Sequence, residues 1–189
     1  MKKIILISTY VLLLVIVAAA FILDRRIWVI DSIILGIALT CVYLIYKRLN
    51  LTSFLFLLIS LLVLSHCFAV FGLFKMTILG LEYDTYVHTY SSIIIALIAF
   101  NYVQKFRISL MESALLALII TLGIGLSNEL IEFAGYSMFG RGEGLFLLGP
   151  GDIGSTNAFE NLMTDFFSDF YGNLTGIFIS LVYHSRFKR

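Results

Sequence analysis

The chain has little that would interrupt a helix and little charge to keep it in water. It contains one proline, Pro150, in 189 residues, and only 13% of its residues are charged while 60% are hydrophobic. Soluble domains are usually closer to a quarter charged. The scarcity of charge excludes an ordinary soluble fold, and the scarcity of proline leaves long helices uninterrupted. The composition therefore predicts an all-α, polytopic membrane helix bundle.

Two further shortages exclude classes of partner and site. The formal net charge is only +1, and no basic stripe is visible, which argues against nucleic acid as a partner. The two cysteines, Cys41 and Cys67, lie within apolar runs and show no zinc-type spacing. Each thiol is expected to pack as a small hydrophobic group, without a disulfide between them.

Six apolar runs are long enough to cross the hydrocarbon core, which needs about 20 residues. We place the spans at roughly 4–23, 27–46, 53–74, 86–104, 109–137 and 161–183, with a glycine-rich loop over 138–160. The first run follows two lysines, as in a signal peptide, but it exceeds the roughly 7–15 residues of a signal-peptide core. Residues 1–189 are therefore predicted to form a single membrane domain with an uncleaved first span.

Lysine and arginine are distributed unevenly between the two ends of these spans. The positive-inside rule places the richer side, and with it both termini, in the cytoplasm. The chain is therefore expected to be a multi-pass protein of the plasma (inner) membrane, with the lipid bilayer as its partner. The nine on the richer side are Lys2, Lys3, Lys47, Arg48, Lys105, Arg107, Arg186, Lys188 and Arg189, and the four on the other are Arg25, Arg26, Lys75 and Arg141.

Six titratable residues interrupt the last three apolar regions. They occur as pairs three or four residues apart, so each pair shares one face of its helix. In the predicted topology all six fall in the outer leaflet, where an ionisable group costs roughly 2.5–3.5 kcal/mol on insertion scales. We expect them to converge on one buried polar site. They are Asp84, His88, Glu129, Glu132, Asp165 and Asp169.

Five carboxyl groups around one imidazole cannot all ionise without compensation. A divalent metal (Mn²⁺, Mg²⁺, Fe²⁺ or Zn²⁺) would provide it, since oxygen ligands with one histidine suit these ions. The alternative is a network of shared protons. Under the metal hypothesis, Glu132 and Asp169 are the catalytic groups, one of them a base that activates water. The metal ligands are then Asp84, His88, Glu129 and Asp165.

Two neighbouring features extend the candidate site. The glycine-rich loop carries Arg141 and Asp152, and it is either a lid over the site or a surface connection. A polar stripe at four-residue steps marks the sixth span, either as part of the site or as a hydrogen-bonded seam between helices. We assign Arg141, Asp152 and Asn173 to substrate binding. The stripe consists of Asn161, Asp165, Asp169 and Asn173.

Three weaker signals complete the pattern. His66 is either a second imidazole ligand or a satisfied structural histidine. Asp31 either faces the same cavity or lies at the level of the lipid head groups. Gly172 and Gly176 form a Gly-x-x-x-Gly pattern, which predicts close approach of another helix.

The second half of the chain, from about residue 80 to 180, resembles the YjdF-like family of bacterial inner-membrane proteins. A more distant similarity is to VanZ-like proteins, which are linked to glycopeptide resistance. Glu132 stands where VanZ-like proteins have a glutamine, and the tryptophan pattern of the YjdF-like loop is missing. The resemblance implies a membrane protein and no established reaction. The matching segments are YDTYVHTYSS, NELIEF, LGPGDIG and NLMTDFFSDFYGN.

Three function classes remain open. The first is a membrane-embedded, metal-dependent enzyme that acts on a lipid or envelope precursor. The second is a small ion- or proton-coupled transporter that uses the carboxylates as its carrier site. The third is a structural or accessory subunit whose polar residues only stabilise the bundle.

Overall fold

The chain folds as a helical bundle, which confirms the all-α prediction. The computed structural model describes residues 1–139 and 158–187. Within these ranges it contains six α-helices: α1 Lys2–Ile22, α2 Ile27–Ile45, α3 Ser53–Phe68, α4 Tyr83–Val103, α5 Leu110–Phe139 and α6 Ala158–Phe187.

Five of the described helices, α1 to α5, are long and apolar enough to cross a membrane. Helix α6 has 30 residues, but its buried face is polar, which lowers its hydropathy. Large aliphatic side chains such as Leu14, Ile22 and Leu130 are exposed on the outside of the bundle, as lipid-facing residues should be. The buried polar residues of α6 include Asp165, Ser168, Asp169 and Asn173.

Helix starts follow local capping signals. Helix α3 begins after Thr52, whose hydroxyl accepts a hydrogen bond from the Leu55 amide at 3.1 Å. Helix α5 follows a capping box, in which the Glu112 carboxylate accepts from the Ser109 amide at 2.8 Å and the Glu112 amide donates to the Ser109 hydroxyl at 3.2 Å.

The third helix is shorter than its apolar run. The α-helix ends before the predicted span 53–74 does, because α3 stops at Phe68 and two 3₁₀ turns follow, Ala69–Phe71 and Leu73–Lys75. Gly72 separates them with a φ of 89°, which a glycine adopts without strain. Hydropathy could not locate this end because the sequence stays apolar to Phe74.

A short β-hairpin that the sequence analysis did not predict leads into α4. Its strands, β1 Thr77–Ile78 and β2 Leu81–Glu82, pair antiparallel. Leu79 and Gly80 between them both have positive φ, 52° and 85°, as a two-residue type I′ turn requires.

The hairpin also moves the start of the fourth helix. Helix α4 begins at Tyr83 instead of the predicted residue 86, so Asp84 lies in its first turn. The predicted loop 138–160 is too long at both ends, because α5 continues to Phe139 and α6 begins at Ala158. Residues 140–157 lie outside the described residues, and with them Arg141 and Asp152.

The helices pack as two halves of three. The first half, α1–α3, surrounds a core that includes Ile16, Trp28 and Phe56. The second half, α4–α6, has a smaller core rich in alanine, including Ala96 and Ala117. Helix α3 packs on α4 to join the halves, and the most extensive helix contact is that between α4 and α6.

Glycines of α6 allow this close contact, as the Gly-x-x-x-Gly pattern predicts. A Cβ at Gly172 would lie 2.5 Å from the carbonyl oxygen of Thr89, and one at Gly176 would lie 2.6 Å from that of Ile93. Because the obstructing atoms belong to the backbone of α4, they cannot move aside without separating the helices. The approach holds Asp169, less than one turn before Gly172, against α4.

Replacement of Gly172 by alanine should therefore destabilise the bundle. We expect Gly172→Ala to lower the apparent Tm in detergent micelles, by a free-energy cost of about 1–3 kcal/mol from overpacking. Gly123→Ala is the matched control, since a Cβ there meets no atom within 4 Å. An unchanged or raised Tm for Gly172→Ala would contradict the proposed contact between α4 and α6.

Candidate functional site

His88 lies at the centre of a buried polar cluster where α4, α5 and α6 meet. Its Nδ1 atom is 3.3 Å from Asp169 Oδ1 and 3.6 Å from Glu129 Oε1. Its Nε2 atom is 3.8 Å from Asp84 Oδ2, one turn earlier on α4. Three carboxylates from three helices therefore surround a single imidazole, which can offset at most one of their charges.

Asp169 is held in place by both neighbouring helices. The Ser92 hydroxyl, one turn after His88, donates a hydrogen bond to Asp169 Oδ1 at 2.7 Å. On the α5 side the carboxylate lies against Gly125, where a Cβ would come within 2.5 Å of Asp169 Oδ2. Gly125 therefore leaves the space that the carboxylate occupies.

Glu132 occupies the next position along α5. The Asn128 amide donates a hydrogen bond to Glu132 Oε1 at 2.8 Å, across one helical turn. Glu132 and Asn128 both line the cavity beside the cluster. This bond fixes the side chain of Glu132 at the cavity wall.

The donor atoms form two groups that share His88. Asp84, His88 and Asp165 form one, and His88, Glu129 and Asp169 form the other, with ligand atoms within 4.8 Å of one another. Two ligand atoms about 2.1 Å from a common ion in tetrahedral geometry are ~3.4 Å apart. The contacts from Nδ1 to Asp169 and Glu129, at 3.3 and 3.6 Å, have this spacing.

A cavity of about 300 Å³ opens beside the cluster. Its polar lining includes Asp84, His88, Glu132 and Asp169. Apolar side chains complete the lining, among them Leu35, Leu62, Val63, Ile95 and Ile124. The cavity therefore offers both acidic and apolar contacts.

The structure brings together all six titratable residues that the spacing singled out. Four of them line the cavity, and Glu129 and Asp165 join through the groups around His88. Asn173 is also buried, but it lies deeper along α6 and both its amide atoms lack a hydrogen-bond partner. Of the stripe on α6, the side chain of Asn161 lies outside the described residues, as do Arg141 and Asp152.

The sequence analysis missed Ser92 and Gly125, which position Asp169. Ser92 continues the stripe of Asp84 and His88 at a further four-residue step, so that spacing could have identified it. Gly125 carried no such signal, because nothing in the sequence tells which side of α5 faces Asp169. Cys41 is exposed, Cys67 is buried and both are free thiols, as expected.

A second polar pair lies in the other half of the bundle. His66 Nε2 on α3 is 3.6 Å from Asp31 Oδ2 on α2, and His66 lines the same cavity as His88. The two weaker sequence features, Asp31 and His66, are thus in contact with each other. His66 lines the cavity from the side of α1–α3.

The chain matches one family model over nearly its whole length. That family is described as "Predicted membrane protein (DUF2238)", and the match covers residues 3–186. The likeness therefore extends through the first three helices, beyond the segment from about residue 80 that the motifs cover. No curated protein and no solved structure matches the chain.

The cluster of carboxyl groups around His88 should lower the stability of the fold when no cation is bound. Glu129 is 2% exposed and its Oε1 atom lacks a hydrogen-bond partner. We expect Glu129→Gln to raise the apparent Tm in EDTA, because it removes one acidic group from a crowded, buried cluster of carboxyl groups. The matched control, Glu112→Gln on the exposed first turn of α5, should not raise it. A lowered Tm for Glu129→Gln would favour a purely structural cluster.

Proposed function

The chain belongs to the DUF2238 family of predicted membrane proteins, and from that premise we propose a membrane-embedded, metal-dependent enzyme that acts on a lipid or cell-envelope precursor. The observation that carries the proposal is the spacing of His88 Nδ1 from Glu129 and Asp169, the spacing of ligands around one ion. The motifs shared with YjdF-like and, more distantly, VanZ-like proteins support a role in the bacterial envelope.

The proposed setting is a six-span protein of the plasma membrane with both termini in the cytoplasm. Helix α6, whose polar face turns inward, provides the sixth span beside the five apolar helices. The start of α4, the end of α5 and the start of α6 then lie together at the outer leaflet. These helix ends would place the site on the outer-leaflet side of the bundle.

The need for positive charge supports a divalent cation as the cofactor. Three carboxylates surround His88 at 3.3 to 3.8 Å, and burial makes unpaired charges of one sign costly. The donor set, carboxylate oxygens and one imidazole, suits Mn²⁺, Fe²⁺ or Zn²⁺ and also admits Mg²⁺. When bound, the ion would polarise a water molecule and a substrate oxygen.

The residues would divide into ligands and a base. His88, Glu129 and Asp169 are the proposed ligands, and Asp84 and Asp165 form a second group with the same imidazole. Asp169 thus moves from a catalytic role to a ligand role. Glu132 is the proposed general base, because its carboxylate lines the cavity and its orientation is fixed by Asn128. It would accept the proton of an attacking water.

The mixed acidic and apolar lining of the cavity supports an amphiphilic substrate. A polar head group would lie among the carboxylates and a hydrocarbon chain would contact Leu35, Ile95 and Ile124. Ligand pockets of about 300 Å³ are at the small end of the usual range, which suits one chain and a compact head. Arg141 remains the proposed anion clamp from the adjoining loop.

Metal binding tests the proposal. Detergent-purified protein dialysed against Mn²⁺ or Zn²⁺ should retain about one ion per chain by elemental analysis. We expect Glu129→Gln and Asp169→Asn to weaken binding at least tenfold, since even the loss of a group that only hydrogen-bonds a metal ligand typically costs 10–100-fold. Glu112→Gln, exposed at the start of α5, is the matched control and should bind normally. Absence of stoichiometric metal in the wild-type protein would contradict the proposal.

A glycine pair on α5 tests the geometry of the same site. Gly125→Ala places a methyl group where Asp169 Oδ2 lies, whereas Gly123→Ala meets no atom within 4 Å. We expect Gly125→Ala to weaken Mn²⁺ affinity at least tenfold and Gly123→Ala to leave it unchanged, measured by isothermal titration. Equal affinities would show that Asp169 is not a ligand.

One observation favours a transporter as the second candidate. Asn173, one turn deeper than Asp169 on α6, is 1% exposed and neither of its amide atoms has a hydrogen-bond partner. A polar group left unsatisfied on the inner side of the site suits a path for ions or protons. Two results together would favour transport over catalysis. The wild-type protein would show cation-driven flux in proteoliposomes without bound transition metal, and Asn173→Leu would abolish that flux.

A further inference from the structure

The cavity has a second wall that the carboxylate site does not use. Helices α4, α5 and α6 supply the wall with His88, whereas α2 and α3 supply the facing wall through Leu35, Leu62, Val63 and His66. The cavity therefore lies at the junction of the two halves of the bundle. His66 is the titratable residue that the first half contributes to its lining.

Asp31 holds His66 at this wall. Asp31 is 2% exposed, and its Oδ2 atom lies 3.6 Å from His66 Nε2. The His66 ring also packs against Trp28 and Phe74, with ring centroids 5.6 Å away in both cases. A carboxylate behind the ring and aromatic rings beside it fix the orientation of the imidazole, as in other oriented histidines.

A purely structural histidine would satisfy both ring nitrogens within the core. Here Nε2 is covered and faces Asp31 Oδ2 at 3.6 Å, too far for a hydrogen bond, so this nitrogen is not the one that meets a ligand. The ring itself lines the cavity, which leaves Nδ1 as the nitrogen for a ligand. When both ring nitrogens carry protons, Nδ1–H can donate to an anionic oxygen while Asp31 faces the other side of the ring.

We propose that His66, positioned by Asp31, binds the anionic head group of an amphiphilic ligand from the wall opposite the carboxylate cluster. The inference rests on the proposed function, because a cation at the cluster would hold the same head group from the other side. The ligand class is a single-chain amphiphile with a phosphate or carboxylate head. His66 is the binding residue, and Asp31 is a positioning residue.

The three histidines of the chain allow a direct test. Protein labelled with ¹³C at the histidine Cε1 atoms gives signals from His66, His88 and His184, assigned by single His→Gln variants. The probe is dodecyl phosphate, titrated into maltoside micelles with Mg²⁺. Dodecanoate in place of dodecyl phosphate distinguishes the two head groups. His184 is the internal reference, since it lies fifteen residues from Asp169 on α6, ~22 Å away.

We expect the His66 and His88 signals to shift with one apparent Kd while the His184 signal stays. Asp31→Asn should raise that Kd about tenfold, or ~1.4 kcal/mol, because the His66 ring then lacks the carboxylate that faces and orients it. Asp24→Asn, at an exposed aspartate of the α1–α2 turn, is the matched control and should leave the Kd unchanged. The fluorescence of Trp28, which packs on His66, should follow the same titration and also report folding.

Each outcome bears on one claim. If dodecyl phosphate and dodecanoate shift the His88 signal but not the His66 signal, the second wall does not bind ligand, and the proposed function stands. If Mg²⁺ and Mn²⁺ leave the His88 signal unchanged while His66 still responds to the probe, the metal proposal is wrong and the second wall is supported. An unchanged Kd in folded Asp31→Asn would overturn the positioning role of Asp31.

Discussion

The close packing of α6 on α4 determines most of the site. Gly172 and Gly176 let the two backbones approach, because a Cβ at either position would lie within 2.6 Å of a carbonyl oxygen of α4. That approach brings Asp169 to His88 and Ser92, and the space at Gly125 admits its carboxylate on the other side. The acidic faces of three helices can therefore meet around one imidazole because small residues let the helices pack closely.

The convergence has an energetic reason as well as a geometric one. Carboxyl groups in apolar helices are costly towards lipid, so the bundle turns them inward, where they face one another. Their mutual repulsion then requires compensation by protons or a cation. The same burial that hides the acids from lipid thus creates the conditions for a cation site, next to a cavity lined by both acidic and apolar side chains.

Much of this arrangement could be predicted from the sequence. Hydropathy located the helices, and the spacing of Asp84 with His88 and of Glu129 with Glu132 gave both the shared faces and the common depth. The Gly-x-x-x-Gly pattern predicted close packing, although it did not identify the helix that packs there.

The sequence analysis missed the end of α3 and the hairpin before α4, because a positive φ at Gly72 and a two-residue turn do not change the hydropathy. Which acids group around His88 depends on how each helix is rotated about its axis. The same holds for the pairing of Asp31 with His66, and spacing within single helices does not fix either.

X-ray absorption spectroscopy of the zinc-loaded protein tests the central claim most directly, because it reports the atoms around the ion. We predict one imidazole among oxygen ligands at about 2.0–2.1 Å and no sulfur at about 2.3 Å, with the imidazole contribution lost in His88→Gln. Two or more imidazoles, a thiolate ligand, or an imidazole signal that persists in His88→Gln would contradict the convergence of the three acidic helices on His88.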